Sequence, residues 1–220
     1  MKEFIPLLSG SSLFSGIQAE EVAGLLGCLG AKKVRYKKNQ SVFLEGDPAG
    51  FLGMVLSGSL QINRDDAYGN RDILGRVVAG EVFAESYAFA DVAAMPVNVI
   101  SQEDSQVLLI DSRRITRCCS NACSFHNQLI QNLLQIVAQK NLQFHEKLEI
   151  TAKRTTREKL LAYLSAQEKR AGSKSFTIPF DRQALADYLG VERSAMSNEI
   201  SKLRNEGILE CNRSHFTLLT

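Results

Sequence analysis

Near the C-terminus, Arg193, Ser194, Ser197, Asn198 and Lys202 recur at spacings that turn them to one side of a helix, while Met196, Ile200 and Leu203 make an apolar stripe on the other. Arginine and asparagine each make paired hydrogen bonds, to guanine and adenine edges respectively, and serine reaches bases or phosphates. That is the chemistry of reading a major groove. Lys202, Arg182 and Arg213 are candidates for phosphate contacts, whose strength depends on salt.

A second candidate is GEVFAESYAFADVAAMPVNV, Gly80 to Val99. A Gly-Glu turn, a second glutamate, an apolar run and then a strand suit a small-ligand pocket in which Gly80, Glu81, Phe83, Glu85, Ser86, Met95, Pro96 and Val97 are the candidate lining. No Lys, Arg or His occurs between Arg76 and Arg113, and six acidic residues fall in 77–112. An anionic ligand is disfavoured in such surroundings.

A third cluster is RCCSNACSFH. On a helix, Cys119, Cys123 and His126 share one face and match thiophilic metal ligands, with Cys118 or Cys119 as a redox alternative. Free helical cysteines are more often small buried hydrophobes, so no metal and no resident cofactor are expected. Haem would need an axial ligand in the pocket, and Met95 alone qualifies there. A cupin-like enzyme wants several histidines inside a barrel, yet His126, His145 and His215 all lie beyond the strand-rich region. No catalytic triad, phosphate loop or carboxylate pair is present, so no enzyme is expected.

These residues need elements to hold them. From about Lys32 to Ile110, short apolar runs alternate with turn residues, as in an antiparallel β-roll or jelly roll, with 65–70 as a hairpin tip. Before it, Val22, Leu25, Leu26 and Leu29 mark a short amphipathic helix. From Cys123 to Ile150 there is neither Pro nor Gly. Ile130, Leu134, Val137, Asn141, Phe144 and Leu148 recur there at spacings of four and three, a heptad seam of the kind that pairs parallel helices in a dimer. A second stripe, Leu129, Leu133 and Ile136, faces the sheet. Thr155 and Glu158 form a capping box that opens the next helix, with Lys153–Thr155 as a hinge.

The fold class is therefore α+β: a β-roll sensor domain with an N-terminal helix over 1–122, a dimerisation helix over 123–152, and a winged helix-turn-helix over 153–220. Residues 1–150 carry 14 basic and 16 acidic residues, whereas 151–220 carry 12 and 8. The positive end is where a polyanion would be met. No apolar stretch is long enough for a membrane span, and five cysteines without an export signal point to reduced thiols and a cytoplasmic protein.

FLEGDPAGFLGMVLSGSLQI, GEVFAES, the seam helix and LADYLGVERSAMSNEISKLRNEGIL together resemble the Crp/Fnr family of bacterial transcription regulators, from about Leu13 to Leu219. The resemblance implies a homodimer on a pseudopalindromic operator in double-stranded DNA, whose affinity changes with an effector in the β-roll. Activation or repression then depends on operator position and on RNA polymerase. The cAMP-responsive members hold the cyclic phosphate with an Arg-Ser pair, and Met95 and Pro96 stand at those places. The Thr-Ser pair that meets adenine is replaced by Leu142 and Gln143. The oxygen-sensing members need an N-terminal cysteine cluster, and only Cys28 lies there. The expected effector is thus not cAMP but a neutral or apolar molecule, or one that carries positive charge toward Glu81 and Glu85.

Overall fold

The structure is a computed structural model that describes residues 2–65, 71–116 and 124–219. The chain forms two compact units, Met1–Lys140 and Asn141–Thr220. Their boundary falls inside a helix, whereas the sequence suggested a three-part division at 122 and 152.

The first unit opens with α1 (Ile5–Ser9) and α2 (Ala19–Cys28), followed by β1 (Lys32–Tyr36), β2 (Ser41–Phe43), β3 (Phe51–Ser57), β4 (Ser59–Asp65) and β5 (Arg71–Val78). Then come β6 (Val82–Phe83), α3 (Glu85–Phe89), β7 (Asn98–Ser101), β8 (Ser105–Asp111), α4 (Ser112–Thr116) and α5 (Ser124–Thr151), whose residues after Lys140 belong to the second unit. The strands make two four-stranded sheets, β1-β8-β3-β6 and β2-β7-β4-β5, paired antiparallel throughout. This is the β-roll. The run FLGMVLSGSLQI, which reads as continuous in sequence, is cut at Gly58, and the chain changes sheet there. Gly58 has φ +80°, and a Cβ on it would stand 2.3 Å from Ser105 Oγ, so only glycine fits the crossing. The expected hairpin tip lies outside the described residues except for Asp65, which pairs with Arg71 across the β4–β5 ladder.

Two apolar cores fill this unit. Phe43, Val55, Leu60, Phe83, Met95, Val97, Val99 and Val107 meet in one core. Leu52, Met54, Leu108 and Ile110 from the other face of the first sheet meet Leu13, Phe14, Val22, Leu25 and Leu26 in the second. Leu129, Leu133 and Ile136 of α5 complete this second core, so the inner stripe of α5 docks on sheet and N-terminal helices as its spacing suggests. Asn132 fixes the register: its buried amide donates to the carbonyls of Leu13 at 3.0 Å and Ser15 at 2.8 Å. Along α5, Ile130 is half-buried against this core, whereas Leu134, Val137, Phe144 and Leu148 are exposed apolar side chains and Asn141 is exposed too.

The second unit contains α6 (Thr156–Ala171), β9 (Ser175–Thr177), α7 (Arg182–Leu189), α8 (Arg193–Asn205), β10 (Leu209–Asn212) and β11 (His215–Leu218). The capping box is formed: Thr155 Oγ1 accepts from the Glu158 amide at 3.1 Å, and the Glu158 carboxylate accepts from the Thr155 amide at 3.1 Å. The three strands pair in the order β10-β11-β9. Leu160, Tyr163, Leu164, Phe176, Leu185, Leu189 and Phe216 bury against one another beneath α7 and α8. Among the described residues, no helix is long and apolar enough to cross a membrane.

Candidate functional site

The helix-turn-helix is built from local signals. Asp181 caps α7, its carboxylate accepting from the Ala184 amide at 2.8 Å. Gly190 ends α7 at φ +61°, and Val191 then donates back to the Ala186 carbonyl at 3.1 Å. Ala186 is fully buried, which lets the two helices approach. Met196, Ile200 and Leu203 sink one side of α8 into the core. On the opposite side Arg193, Ser194, Asn198 and Lys202 are exposed and Ser197 is half-buried.

The three expected phosphate partners differ in their surroundings. Lys202 Nζ lies 2.6 Å from Glu199 Oε1 on its own helix. Arg182 is half-buried and turned inward, its guanidinium 5.1 Å from the centre of the Phe216 ring and donating to Cys211 Sγ at 3.3 Å. Arg213 is exposed in the turn between β10 and β11, at φ +53°.

One contact here has no local sign in the sequence. Arg157, early in α6, forks onto Glu206 just beyond α8, with Nη1 to Oε1 at 2.9 Å and Nη2 to Oε2 at 2.5 Å. The guanidinium holds the Glu206 carboxyl below its ordinary range, and the carboxylate raises the arginine in turn. Thr155, Thr156, Arg157, Ala195, Asn198, Glu199 and Lys202 line an open cleft of about 500 Å³ beside this fork.

The Gly80–Val99 segment is more folded than the expected turn, run and strand. Gly80 has φ +89°, and the exposed Glu81 closes the turn by accepting from the Val78 amide at 3.0 Å. Val82 and Phe83 pair with Met54 and Gly53 of β3. Ala84 takes φ +60°, a left-handed conformation without glycine, and α3 follows. Phe83, Met95 and Val97 are buried in the core, Pro96 is half-buried and Ser86 is exposed. Leu142 and Gln143 belong to the second unit and are exposed.

Glu85 is 5% exposed. Its Oε1 lies 2.9 Å from Lys140 Nζ, which also donates to the Val82 carbonyl at 2.6 Å. The acidic count over 77–112 is therefore corrected: α5 brings the segment a cation that its own stretch of sequence lacks. Lys140 was missed because 55 positions separate it from Glu85, and no short motif spans such a distance.

Cys118, Cys119 and Cys123 lie outside the described residues. His126, the third member of that cluster, is buried with Nε2 2.9 Å from the Arg114 carbonyl and 3.1 Å from that of Ile115. Both are acceptors, so Nε2 carries the proton and donates, and Nδ1 is buried without a partner among the described residues. Among the described residues, no group of His, Cys, Asp and Glu is placed to hold a metal.

A β-roll, a long helix and a winged helix-turn-helix, in this order, define a regulator that joins a sensor domain to a DNA-binding domain. Residues 33–122 match the cyclic nucleotide-binding domain family and residues 158–220 the Crp-like helix-turn-helix domain family. The transcriptional activator protein FnrL of Cereibacter sphaeroides is 21% identical over 84% of this chain and 75% of its own. The transcriptional regulatory protein btr of Bordetella pertussis is 24% identical over 93% of this chain and 84% of its own. Among solved structures, the c-di-GMP responsive global regulator CLP of Xanthomonas campestris superposes with a TM-score of 0.65 at 20% identity, covering 92% of this chain and all of that one. The chain belongs to the Crp/Fnr family of DNA-binding transcription regulators, whose relatives here are regulators and not enzymes.

Proposed function

We propose that the protein binds a pseudopalindromic operator as a homodimer, and that a small effector in the β-roll shifts its DNA affinity. The observation that carries this reading is the two-sided character of α8. Met196, Ile200 and Leu203 anchor it in the core, and the polar face of Arg193, Ser194, Ser197, Asn198 and Lys202 is turned outward at the end that enters a groove. Arg193 and Asn198 read bases, the serines reach bases or phosphates, and Lys202 and Arg213 meet phosphates. Arg182, held on Phe216, adds its charge from behind the wing.

Two copies of α5, packed along Ile130, Leu134, Val137, Asn141, Phe144 and Leu148, cover apolar side chains that a single chain leaves in water. The effector exchanges freely and is not a resident cofactor. It is not cAMP, because a thioether and a ring at Met95 and Pro96 supply no charge-assisted bond to a phosphate. Contact with RNA polymerase belongs to the same reading, and operator position decides between activation and repression.

Selection of duplexes from a random pool, followed by titration at several salt concentrations, tests the reading. The expected outcome is a two-fold symmetric site with half-sites about one helical turn apart, at which Arg193→Ala loses roughly 1–3 kcal/mol of discrimination at one base pair. A pure dimer that binds no duplex at low salt would overturn it.

A further inference from the structure

The Val82 carbonyl and the Glu85 carboxylate converge on one ammonium, 2.6 and 2.9 Å from Lys140 Nζ. Both acceptors are fixed, one by the pairing of β6 with β3 and the other at the start of α3. The donor is not: the Lys140 side chain is 43% exposed, against 6% for that of Glu85. Released into water, the ammonium would be solvated at once, whereas the acceptors it leaves would be stripped of a partner. Glu85 is already short of donors, since its Oε2 is buried with no partner among the described residues. A buried carboxylate with one bonded oxygen and one bare oxygen is an incomplete cation site.

We propose that this is the polar end of the effector site, and that Lys140 fills it from within the chain in competition with a ligand bearing an alkylammonium or amidinium group. The proposal rests on the reading of the β-roll as an effector domain. An alkylammonium satisfies Glu85 Oε1 and the Val82 carbonyl with the same three N–H bonds as Lys140, and an amidinium brings a fourth for Oε2. The nearest acidic neighbour in sequence, Glu81, is spent on the Val78 amide and does not compete. Lys140 lies on the same helix as the exposed Leu134 and Val137, so its displacement acts on the element that carries the dimer seam.

Chemical rescue tests this. Lys140→Ala removes the ammonium and leaves room for n-propylammonium, with sodium chloride at equal ionic strength as the control. The expected result is a saturable rise in Tm for K140A, roughly 5–10 °C at a hundredfold excess over Kd, with a far smaller response in the wild type and none in K140A/E85Q. Equal responses in wild type and K140A, or a response that survives E85Q, would overturn the proposal. Should K140A not fold, Lys140→Met keeps the alkyl stem. Faster amide exchange across Glu85–Phe89, with the rest of the roll unchanged, is then expected, and unchanged exchange overturns the assignment. These readouts need no DNA, so their failure leaves the DNA-binding reading standing. Rescue that holds while K140A binds DNA as the wild type does, with and without the amine, supports the site and removes control of DNA binding through it.

Discussion

Phe83 occupies the space that Gly53 leaves empty: a Cβ on Gly53 would stand 2.1 Å from Phe83 Cζ. The two residues face each other across the β3–β6 pair, and the ring then meets Phe43 with 6.1 Å between centroids. The ring is fully enclosed, so it cannot swing away without opening the core. Gly53→Ala should destabilise the first unit by roughly 1–3 kcal/mol or more through overpacking, read by urea denaturation. Phe83→Leu in the same chain should recover part of that loss, because the smaller side chain makes room. Two losses that simply add would show that the clash is relieved elsewhere.

Arg213 holds the wing turn at φ +53°, where a non-glycine residue carries strain of about 1 kcal/mol. Arg213→Gly and Arg213→Ala remove the same charge but differ in that strain. The glycine variant should be the more stable by roughly 1 kcal/mol in denaturant titrations, and both should lower the salt dependence of DNA binding by about one phosphate contact. A salt slope unchanged in both variants would place Arg213 away from the DNA backbone.

Glu206 titrates below its ordinary range, first because of its hydrogen bonds to Arg157 and then because of that arginine's charge. A carboxyl whose folded pKa is depressed contributes stability above its unfolded pKa and loses it as pH falls through the folded value. The difference in stability between wild type and Glu206→Gln should therefore be present at neutral pH and shrink as pH falls through the carboxylate range, below about 4. The fork is exposed, so the difference is small at every pH. A gap that widens in acid would contradict the assignment.

What could be read from the sequence follows from distance along the chain. The start of α6 was legible because Thr155 and Glu158 are three positions apart and meet each other. So was the helix that carries Met196, Ile200 and Leu203, because these repeat at four and three and sink together into the core. The Arg157–Glu206 fork joins residues 49 apart, and the Glu85–Lys140 pair residues 55 apart, so neither leaves a local trace. The β6–α3 corner was hidden for a different reason: Ala84 adopts a left-handed conformation with no glycine to announce it. Arg182 read as a free cation because only the packed core reveals Phe216 beneath it.

His126 is held by acceptors at the end of α4, the carbonyls of Arg114 and Ile115. The imidazole Nε2–H donates to both, inside the core. His126→Phe keeps the ring volume and removes the donor. It should cost about 1–3 kcal/mol, measured as a lower urea midpoint with an unchanged slope. Nδ1 has no partner among the described residues, so loss of that nitrogen removes no bond seen there. An unchanged midpoint would mean that water replaces the imidazole at both carbonyls.

Glu199 and Lys202 pair at 2.6 Å on the face of α8 that carries Asn198. A phosphate that binds Lys202 has to draw the ammonium away from Glu199, and the bared carboxylate then repels the same phosphate. Both effects oppose DNA binding, so Glu199 acts as a brake on Lys202. Glu199→Gln removes the charge while keeping the shape. It should raise affinity for every duplex, specific or not, by up to roughly fivefold, and the gain should vanish in Glu199→Gln/Lys202→Met. The uniformity matters, since phosphate contacts position the protein without reading sequence. A gain confined to one operator sequence would instead make Glu199 a base-discriminating residue. Weaker binding in E199Q would show that the carboxylate orients Lys202 toward the DNA.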